Sequence, residues 1–171
     1  MDRIVHLSKR HDRDGFDCGI GALNGFLRRT ARQHIEKGLS VTSVLVGDSQ
    51  PDRILGYYTL VFVEVEPARL PSQFAKSLPA HRVPAVKLAR LAVAVSEQGK
   101  GVGAALLAEA MRDAVSAANR AGGVALFVDA KDDRAATFYK HYGFTSLPDL
   151  PLQLMMPIKQ VAQFVGMLPP A

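Results

Sequence analysis

The chain has 171 residues, of which 48% are hydrophobic and 22% charged, and Cys18 is its single cysteine. This length predicts one domain, residues 1–171, with a sizeable buried core. A lone cysteine excludes an intramolecular disulfide, no apolar run reaches the roughly 18 residues of a membrane span, and the N-terminus lacks an apolar signal core. We therefore expect a cytoplasmic protein with no membrane association.

The net charge of +5 is unevenly distributed along the chain. Residues 1–40 contain eight basic and five acidic residues, and residues 81–120 contain six basic and three acidic residues. A basic surface attracts anions such as nucleic acids and nucleotide cofactors. Charge alone leaves open whether the protein binds such an anion or is simply cationic.

The predicted elements alternate between strands and helices in chain order. Alternating and β-branched residues predict strands over residues 3–9, 40–47, 53–66, 85–96, 124–130 and 152–158. Helical spacing predicts helices over residues 22–38, 101–122 and 132–144, with a short helix in the proline-rich crossover 67–84. We expect Gly25 to divide the first helix, and Gly122 and Gly143 to end the other two.

The helix over residues 101–122 joins two buried strands by short connections. Such a unit is right-handed, so its two strands are expected to be parallel, whereas strands 40–47 and 53–66 read as an antiparallel hairpin. The expected buried stripe of the helix is Ala105, Leu106, Ala110, Met111 and Val115. The order predicts a mixed sheet with helices on both faces, in the α/β or α+β class.

Glycines at alternate positions precede this helix in the segment SEQGKGVGAALL, which begins at Ser96. A P-loop nucleotide triphosphatase is excluded because no Lys-Ser or Lys-Thr follows the glycines. A dinucleotide fingerprint fits Gly99, Gly101 and Ala104, with Asp129 ending the next strand. The remaining chain is too short for that fold and a substrate domain, so this alternative is disfavoured.

The run Gln98-Gly-Lys-Gly-Val-Gly103 resembles the coenzyme A loop of the GNAT N-acetyltransferases. The resemblance implies that backbone N–H groups of this loop bind the pyrophosphate of acetyl-CoA, where side chains on the glycines would block the approach. Lys100 would add a cation at the mouth. The implied cofactor-binding residues of the loop are Gln98, Gly99, Lys100, Gly101, Val102, Gly103 and Ala104.

A second motif, RAATFYKHYGF, resembles the A-x-x-F-Y-x-x-x-G-F segment of the same family. The resemblance implies that Tyr139 is catalytic and donates a proton to the departing thiolate; a phenol with a reference pKa near 10 is protonated at neutral pH. Helical spacing places Ala135, Phe138 and Tyr142 on one face, which we expect to be the core face. Asp132 stands where the family often has an asparagine that contacts pantetheine.

The resemblance also implies the GNAT fold, with a mixed central sheet of about six to seven strands and a splayed parallel pair. In that fold, backbone groups near Leu91, Ala92 and Val93 pair with the pantetheine amides. Acetyl-CoA is the implied cosubstrate, and no metal is expected. The neighbouring Arg90 could face the acceptor or cover a sheet face.

Three further segments resemble the acetyltransferase toxins of type II toxin–antitoxin pairs: FDCGIGALNGFL from Phe16, GYYTL from Gly56 and RLAV from Arg90. The resemblance spans about residues 4–158 and implies acetylation of the α-amine of aminoacyl-tRNA, which blocks translation. It also implies a ribbon-helix-helix antitoxin, and homodimers are usual in that group. A cationic stripe is expected to contact tRNA phosphates; its candidate residues are Arg28, Arg29, Arg32, Lys37 and Arg90.

Two other functions stay open at this point. The chain could be a GNAT enzyme for another amine, such as a polyamine, an aminoglycoside or a protein N-terminus. It could also be a noncatalytic module that binds coenzyme A or nucleic acid. No general base is evident in the sequence, and Cys18 lacks a His/Asp partner at recognisable spacing, so we interpret it as a packing residue.

Overall fold

The computed structural model describes residues 1–168 and contains seven strands and six α-helices. Short 3-10 turns lie at Pro67–Arg69 and at Val95–Glu97. The elements in chain order are β1 (Asp2–His6), α1 (Gly21–Arg29), α2 (Ala31–Glu36), β2 (Val41–Gly47), β3 (Gln50–Val65), α3 (Ser72–Ala75), β4 (Val83–Val93), α4 (Val102–Ala121), β5 (Ala125–Asp129), α5 (Asp133–His141), β6 (Thr145–Leu147), β7 (Leu150–Pro157) and α6 (Ile158–Gly166).

The strands form one mixed sheet in the order β1-β2-β3-β4-β5-β7-β6. β4 and β5 are parallel, as the βαβ pattern predicts, and their register runs from Val86 opposite Leu126 to Leu88 opposite Val128. The pairs β1–β2, β2–β3, β5–β7 and β6–β7 are antiparallel. The prediction of a mixed sheet with a hairpin and a parallel pair is confirmed.

Two compact units divide the chain, the first comprising Met1–Val61 with Arg90–Ala110. An aromatic cluster lies at the centre of its core: Tyr57 packs edge-on against Phe16 at 5.6 Å and stacks on Phe26 at 6.4 Å between ring centroids. The Tyr57 hydroxyl donates to the carbonyl oxygen of Leu23 at 2.7 Å. Burial with a satisfied hydroxyl makes this tyrosine a structural residue.

The second unit comprises Phe62–Ala89 and the chain from Met111 onward. Its core contains Ala85, Phe127 and Met155 from three sheet strands, together with Leu70 and Leu147. Side chains of the crossover segment pack against this cluster, including Phe74. The prediction of a single domain stays a prediction.

Three sequence predictions differ from the structure. The break in the first helix lies at Thr30, with φ −122° and ψ −40°, while Gly25 is buried within α1. The buried stripe of α4 is Leu106, Leu107, Ala110, Met111 and Ala114, whereas Ala105 is exposed and Val115 half-buried. The short strand β6 was not predicted; it pairs with β7 from Thr145 opposite Met155.

The C-terminal segment, for which no structure was predicted, contains α6. Its Val161 is fully buried, and residues 169–171 of the predicted tail lie outside the described residues. Across residues 1–168, no helix combines the length and apolar character that crossing a membrane requires.

Gly56 on β3 permits a close approach of neighbouring chain segments. A Cβ there would lie 2.9 Å from the carbonyl oxygen of Ala92 and 2.7 Å from Cδ1 of Leu106. We expect Gly56→Ala to lower the free energy of unfolding by about 1–3 kcal/mol, because a backbone oxygen cannot rotate away. Gly21→Ala is the matched control, since nothing lies within 4 Å of its added Cβ. Urea unfolding measures both variants, and equal effects would contradict the close-approach explanation.

Candidate active site

The glycine loop between β4 and α4 takes two turns that favour glycine. Gly99 has φ +77° and Gly101 has φ +82°, both in the left-handed region. No atom lies within 4 Å of the Cβ positions of these two glycines, so the outer side of the loop is open. Gly103, by contrast, lies in the first turn of α4, which begins at Val102. The loop therefore leads into a helix N-terminus with unpaired N–H groups, the kind of backbone that binds phosphates.

Gln98 holds this loop from within the first unit. Its Nε2 donates to the carbonyl oxygen of Val93 at 3.0 Å and to that of Cys18 at 3.1 Å. These two bonds tie the loop to the end of β4 and to the N-terminal segment. The side chain of Gln98, which the sequence predicted to bind the cofactor, positions the loop in this structure.

Charged side chains surround the start of the loop. Lys100 Nζ lies 3.6 Å from Glu97 Oε2, and Arg53 Nη2 lies 3.8 Å from Glu97 Oε1. These pairs are too long and too exposed to add much stability. Lys100 is thus an exposed cation beside the open glycines, where the sequence predicted one.

The last residues of β4 precede the loop and include Leu91, Ala92 and Val93. Among the described residues, the parallel register with β5 ends at Leu88, so these three residues lie beyond it on β4. The chain then turns, with Ala94 N–H donating to the carbonyl oxygen of Leu55 at 2.9 Å. The register ends next to the last residue of β5, Asp129, and the splay of the pair stays a prediction.

Tyr139 lies on α5 in the second unit and is 7% exposed. Its ring packs edge-on against Phe138 at 5.3 Å and against Phe144 at 5.8 Å. The buried residues of α5 are Ala136 and Tyr139, so the expectation that Ala135, Phe138 and Tyr142 form the core face is wrong; those three are half-buried.

The phenol of Tyr139 is held in its neutral form. Burial, and after it the negative charge of Asp129, together raise the pKa of Tyr139 to about 12. Both causes disfavour the phenolate. The side chain can therefore carry and donate a proton at any pH near neutral.

Asp132 is the N-cap of α5. Its Oδ1 accepts a hydrogen bond from the N–H of Ala135 at 2.8 Å. A capping aspartate satisfies one of the free N–H groups at the start of the helix, and its charge suits the helix dipole. The exposed carboxylate thus orients the helix that bears Tyr139.

The five cations of the predicted stripe divide into two groups. Arg28 points inward, where its Nη2 donates to the carbonyl oxygen of Phe16 at 3.0 Å; its buried Nε finds no partner among residues 1–168. The guanidinium of Arg90 lies 3.6 Å from the centre of the Phe26 ring, so this side chain covers an aromatic face. These two arginines stabilise the first unit through contacts within it. The sequence alone could not reveal that role.

The other three cations are Arg29 at the end of α1, Arg32 on α2 and Lys37 at the C-cap of α2. Arg32 pairs with Glu36 at 3.1 Å, so it can bind an anion only by sharing or releasing that carboxylate. Arg29 and Lys37 are exposed and form no ion pair within the part of the chain that the structure describes, so they are available to an anion.

The second unit also contains a cavity of about 310 Å³ that sequence reasoning missed. Lys87 and Asp129 form an ion pair at its wall. The signal was present, because Lys87 interrupts the apolar strand AVKLARLAV and Asp129 ends the apolar strand VALFVD. Within residues 1–168, no group of three or more His, Cys, Asp or Glu side chains could hold a metal ion.

The loop glycines should respond to substitution according to their conformation. We expect Gly99→Ala and Gly101→Ala each to lower the free energy of unfolding by about 1–2 kcal/mol, because a side chain disfavours the left-handed region. Gly103→Ala should stabilise by about 0.5–1 kcal/mol, because Gly103 is helical. Thermal unfolding of the three variants tests whether two are destabilised and the third is stabilised. A Gly103→Ala variant less stable than the unmodified protein would contradict the prediction.

Residues 42–146 match the family described as an acetyltransferase (GNAT) domain. A tRNA-acetylating toxin from Mycobacterium tuberculosis (strain ATCC 25618 / H37Rv) is 34% identical over 160 residues, 94% of each chain. The structure of AtaT complexed with acetyl-methionyl-tRNAfMet has a TM-score of 0.87 and 35% identity, covering 95% of this chain and 98% of that chain. A tyrosine-to-phenylalanine mutant of the AtaT toxin, bound to the C-terminus of the antitoxin AtaR and acetyl-CoA, has a TM-score of 0.78 and 35% identity, covering 95% and 96% of the two chains. The chain therefore belongs to the GNAT acetyltransferases and, within them, to the family of the tRNA-acetylating toxins.

Proposed function

We propose that this protein transfers an acetyl group from acetyl-CoA to the α-amine of aminoacyl-tRNA, and that the modification blocks translation. The observation that carries the proposal is its similarity, along nearly the whole chain, to a toxin solved with an acetylated aminoacyl-tRNA. The glycine loop supports it independently, because two left-handed glycines leave the space that a diphosphate needs. The whole chain, 1–171, acts as one catalytic domain in this proposal.

The loop residues and the end of β4 hold acetyl-CoA in this proposal. Backbone N–H groups at Gly99, Gly101 and the start of α4 bind its phosphates, and Lys100 adds a positive charge. Leu91, Ala92 and Val93 offer an extended backbone to the pantetheine arm. When bound, acetyl-CoA supplies an activated acetyl group on sulfur.

Tyr139 supplies the proton that the reaction needs on the leaving side. Its phenol is neutral at physiological pH because burial opposes ionisation. A neutral phenol can donate to a sulfur atom on which negative charge develops. A backbone N–H of β4 polarises the carbonyl of the acetyl group in the same step.

The cations that remain available define the proposed tRNA contacts. Arg29, Arg32 and Lys37 contact the phosphate backbone, where they provide affinity without reading sequence. Arg28 and Arg90 contribute by holding the first unit in shape.

The proposal extends to partners and location. A structure similar to this chain contains an antitoxin segment, which supports an antitoxin partner here. We infer that this antitoxin has a ribbon-helix-helix domain and that the toxin is a homodimer, as is usual in the group. Because the proposed substrate is tRNA, we place the protein in the cytoplasm.

The acceptor class can be identified by acetyl transfer from labelled acetyl-CoA. We expect label on a total aminoacyl-tRNA pool, and none on deacylated tRNA, polyamines or peptides, because the reacting group is the aminoacyl α-amine. Sequencing the labelled tRNAs then gives the specificity. Label confined to polyamines or peptides would refute the tRNA proposal while leaving the acetyltransferase family intact.

Replacing Tyr139 with phenylalanine separates proton donation from packing, because only the hydroxyl oxygen is lost. We expect Tyr139→Phe to reduce kcat by about 100-fold or more, because the proton donor is lost while the ring stays. Tyr142→Phe, at the C-cap of the same helix, is the matched control and should retain nearly full activity. Unchanged acetyl-CoA binding by both variants, measured by calorimetry, confirms an intact site. Equal kcat in the two variants would exclude Tyr139 as the donor.

A further inference from the structure

The cavity of the second unit combines an apolar wall with a polar floor. Asp129 on β5 lies opposite Gln153 on β7, and Phe127 lies opposite Met155, so these side chains leave the sheet on one face. Lys87 on β4 joins this row through its ion pair with Asp129. The apolar lining is provided by Val63, Val65, Leu70, Phe127, Leu147 and Leu150.

The carboxylate of Asp129 is only partly used. One of its oxygens, Oδ2, pairs with Nζ of Lys87. Across residues 1–168, no donor bonds the other oxygen, and the side chain is 43% exposed. A carboxylate can accept about four hydrogen bonds, so this group can bind a further cation from within the cavity.

Asp129 also has a distinctive place in the fold. It directly follows Val128, the last β5 residue in the parallel register with β4. Its negative charge is one of the two causes that raise the pKa of Tyr139. The carboxylate and the proposed proton donor therefore share one electrostatic environment within the second unit.

We propose that this cavity is the subsite for the aminoacyl group of the acceptor, in which Asp129 binds the α-ammonium and the apolar wall receives the side chain. This inference rests on the proposed function and adds the residue that captures the amine. The bound ammonium passes a proton to water before its nitrogen attacks the acetyl carbonyl. Lys87 restrains the carboxylate so that its free oxygen faces the ligand. A charge-assisted hydrogen bond of this kind is among the stronger polar contacts in proteins.

The lining also selects the class of amino acid. Six apolar side chains favour an uncharged aliphatic side chain, and about 310 Å³ accommodates one of leucine size. The charged part of the lining is balanced, with Lys87, Arg69 and Arg82 beside Asp129, Glu64 and Glu66. Cationic side chains are disfavoured because the apolar wall would remove their hydration. Leucyl-type acceptors are therefore preferred over lysyl and arginyl ones.

Binding of leucinamide, a small amine that carries the aminoacyl group, tests the subsite without turnover. We expect calorimetry to detect leucinamide and not N-acetyl-leucinamide, and to detect lysinamide more weakly. Asp129→Asn should weaken leucinamide binding by about tenfold or more. Lys87→Met breaks the same ion pair but leaves the carboxylate, so binding should stay equal or tighten.

Asp133→Asn is the matched carboxylate control. Asp133 is exposed in the first turn of α5 and does not line the cavity, so its substitution should not alter binding. Failure of the unmodified protein to bind leucinamide would overturn the inference. An Asp129→Asn variant that binds like the unmodified protein would do the same, and so would equal weakening by Asp129→Asn and Lys87→Met.

A parallel assay of acetyl transfer to leucyl-tRNA separates the two proposals. Transfer whose KM for the acceptor rises about tenfold in Asp129→Asn, with the KM for acetyl-CoA unchanged, supports both. Transfer with an unchanged acceptor KM would overturn the inference and leave the proposed function standing. Asp129-dependent leucinamide binding without transfer to any aminoacyl-tRNA would overturn the proposed function and support the subsite.

Discussion

The short parallel register between β4 and β5 is the constraint on which the site depends. Pairing stops at Leu88 and Val128, although β4 continues to Val93. Backbone groups beyond that point need other partners, because unpaired N–H and C=O groups are costly when buried. The carbonyl of Val93 accepts from Gln98. In the proposed function, the extended pantetheine arm forms sheet-like hydrogen bonds with this end of β4.

The support of the loop uses polar side chains that point inward. Gln98 fixes the loop through two carbonyl groups, Arg28 bonds the carbonyl of Phe16, and Arg90 covers an aromatic ring. The two amide bonds of Gln98 and the Nη2 bond of Arg28 each use a side-chain donor within the first unit. The loop glycines then keep their backbone N–H groups for an anion. Side chains thus hold the loop in place, and the backbone N–H groups of the loop are left to bind a ligand.

The sequence predicts the site best where the backbone itself is specialised. Gly99 and Gly101 were identifiable because left-handed turns favour glycine, and the parallel pair followed from a long amphipathic helix between two apolar strands. The direction of Arg28 was not predictable, because helical spacing cannot distinguish a long side chain that reaches solvent from one that bonds a distant carbonyl. The break at Thr30 escaped for a related reason: Gly25 is accommodated inside α1, where the Arg29 side chain occupies its space.

The ends of some helices and strands are set by the local sequence, and those of others by contacts with distant parts of the chain. Strongly periodic segments such as α4 were predicted within a residue of their ends, since capping and hydrophobic spacing are local. The short strand β6 depends on pairing with β7, and three residues alone show no alternation that reveals a strand. The cavity lining arises from five strands and the crossover, so no single segment of the sequence shows it.

The raised pKa of Tyr139 links the proposed proton donor with the proposed acceptor subsite. A phenol whose pKa is about 12 is a poor acid towards a thiolate, whose ordinary conjugate pKa is about 8.5, so full proton transfer is unfavourable at rest. Part of that high pKa comes from the charge of Asp129. In the proposed subsite, the α-ammonium neutralises this carboxylate, so acceptor binding lowers the pKa of Tyr139. The phenol becomes a better donor only when an acceptor is present, which couples proton supply to the arrival of the amine.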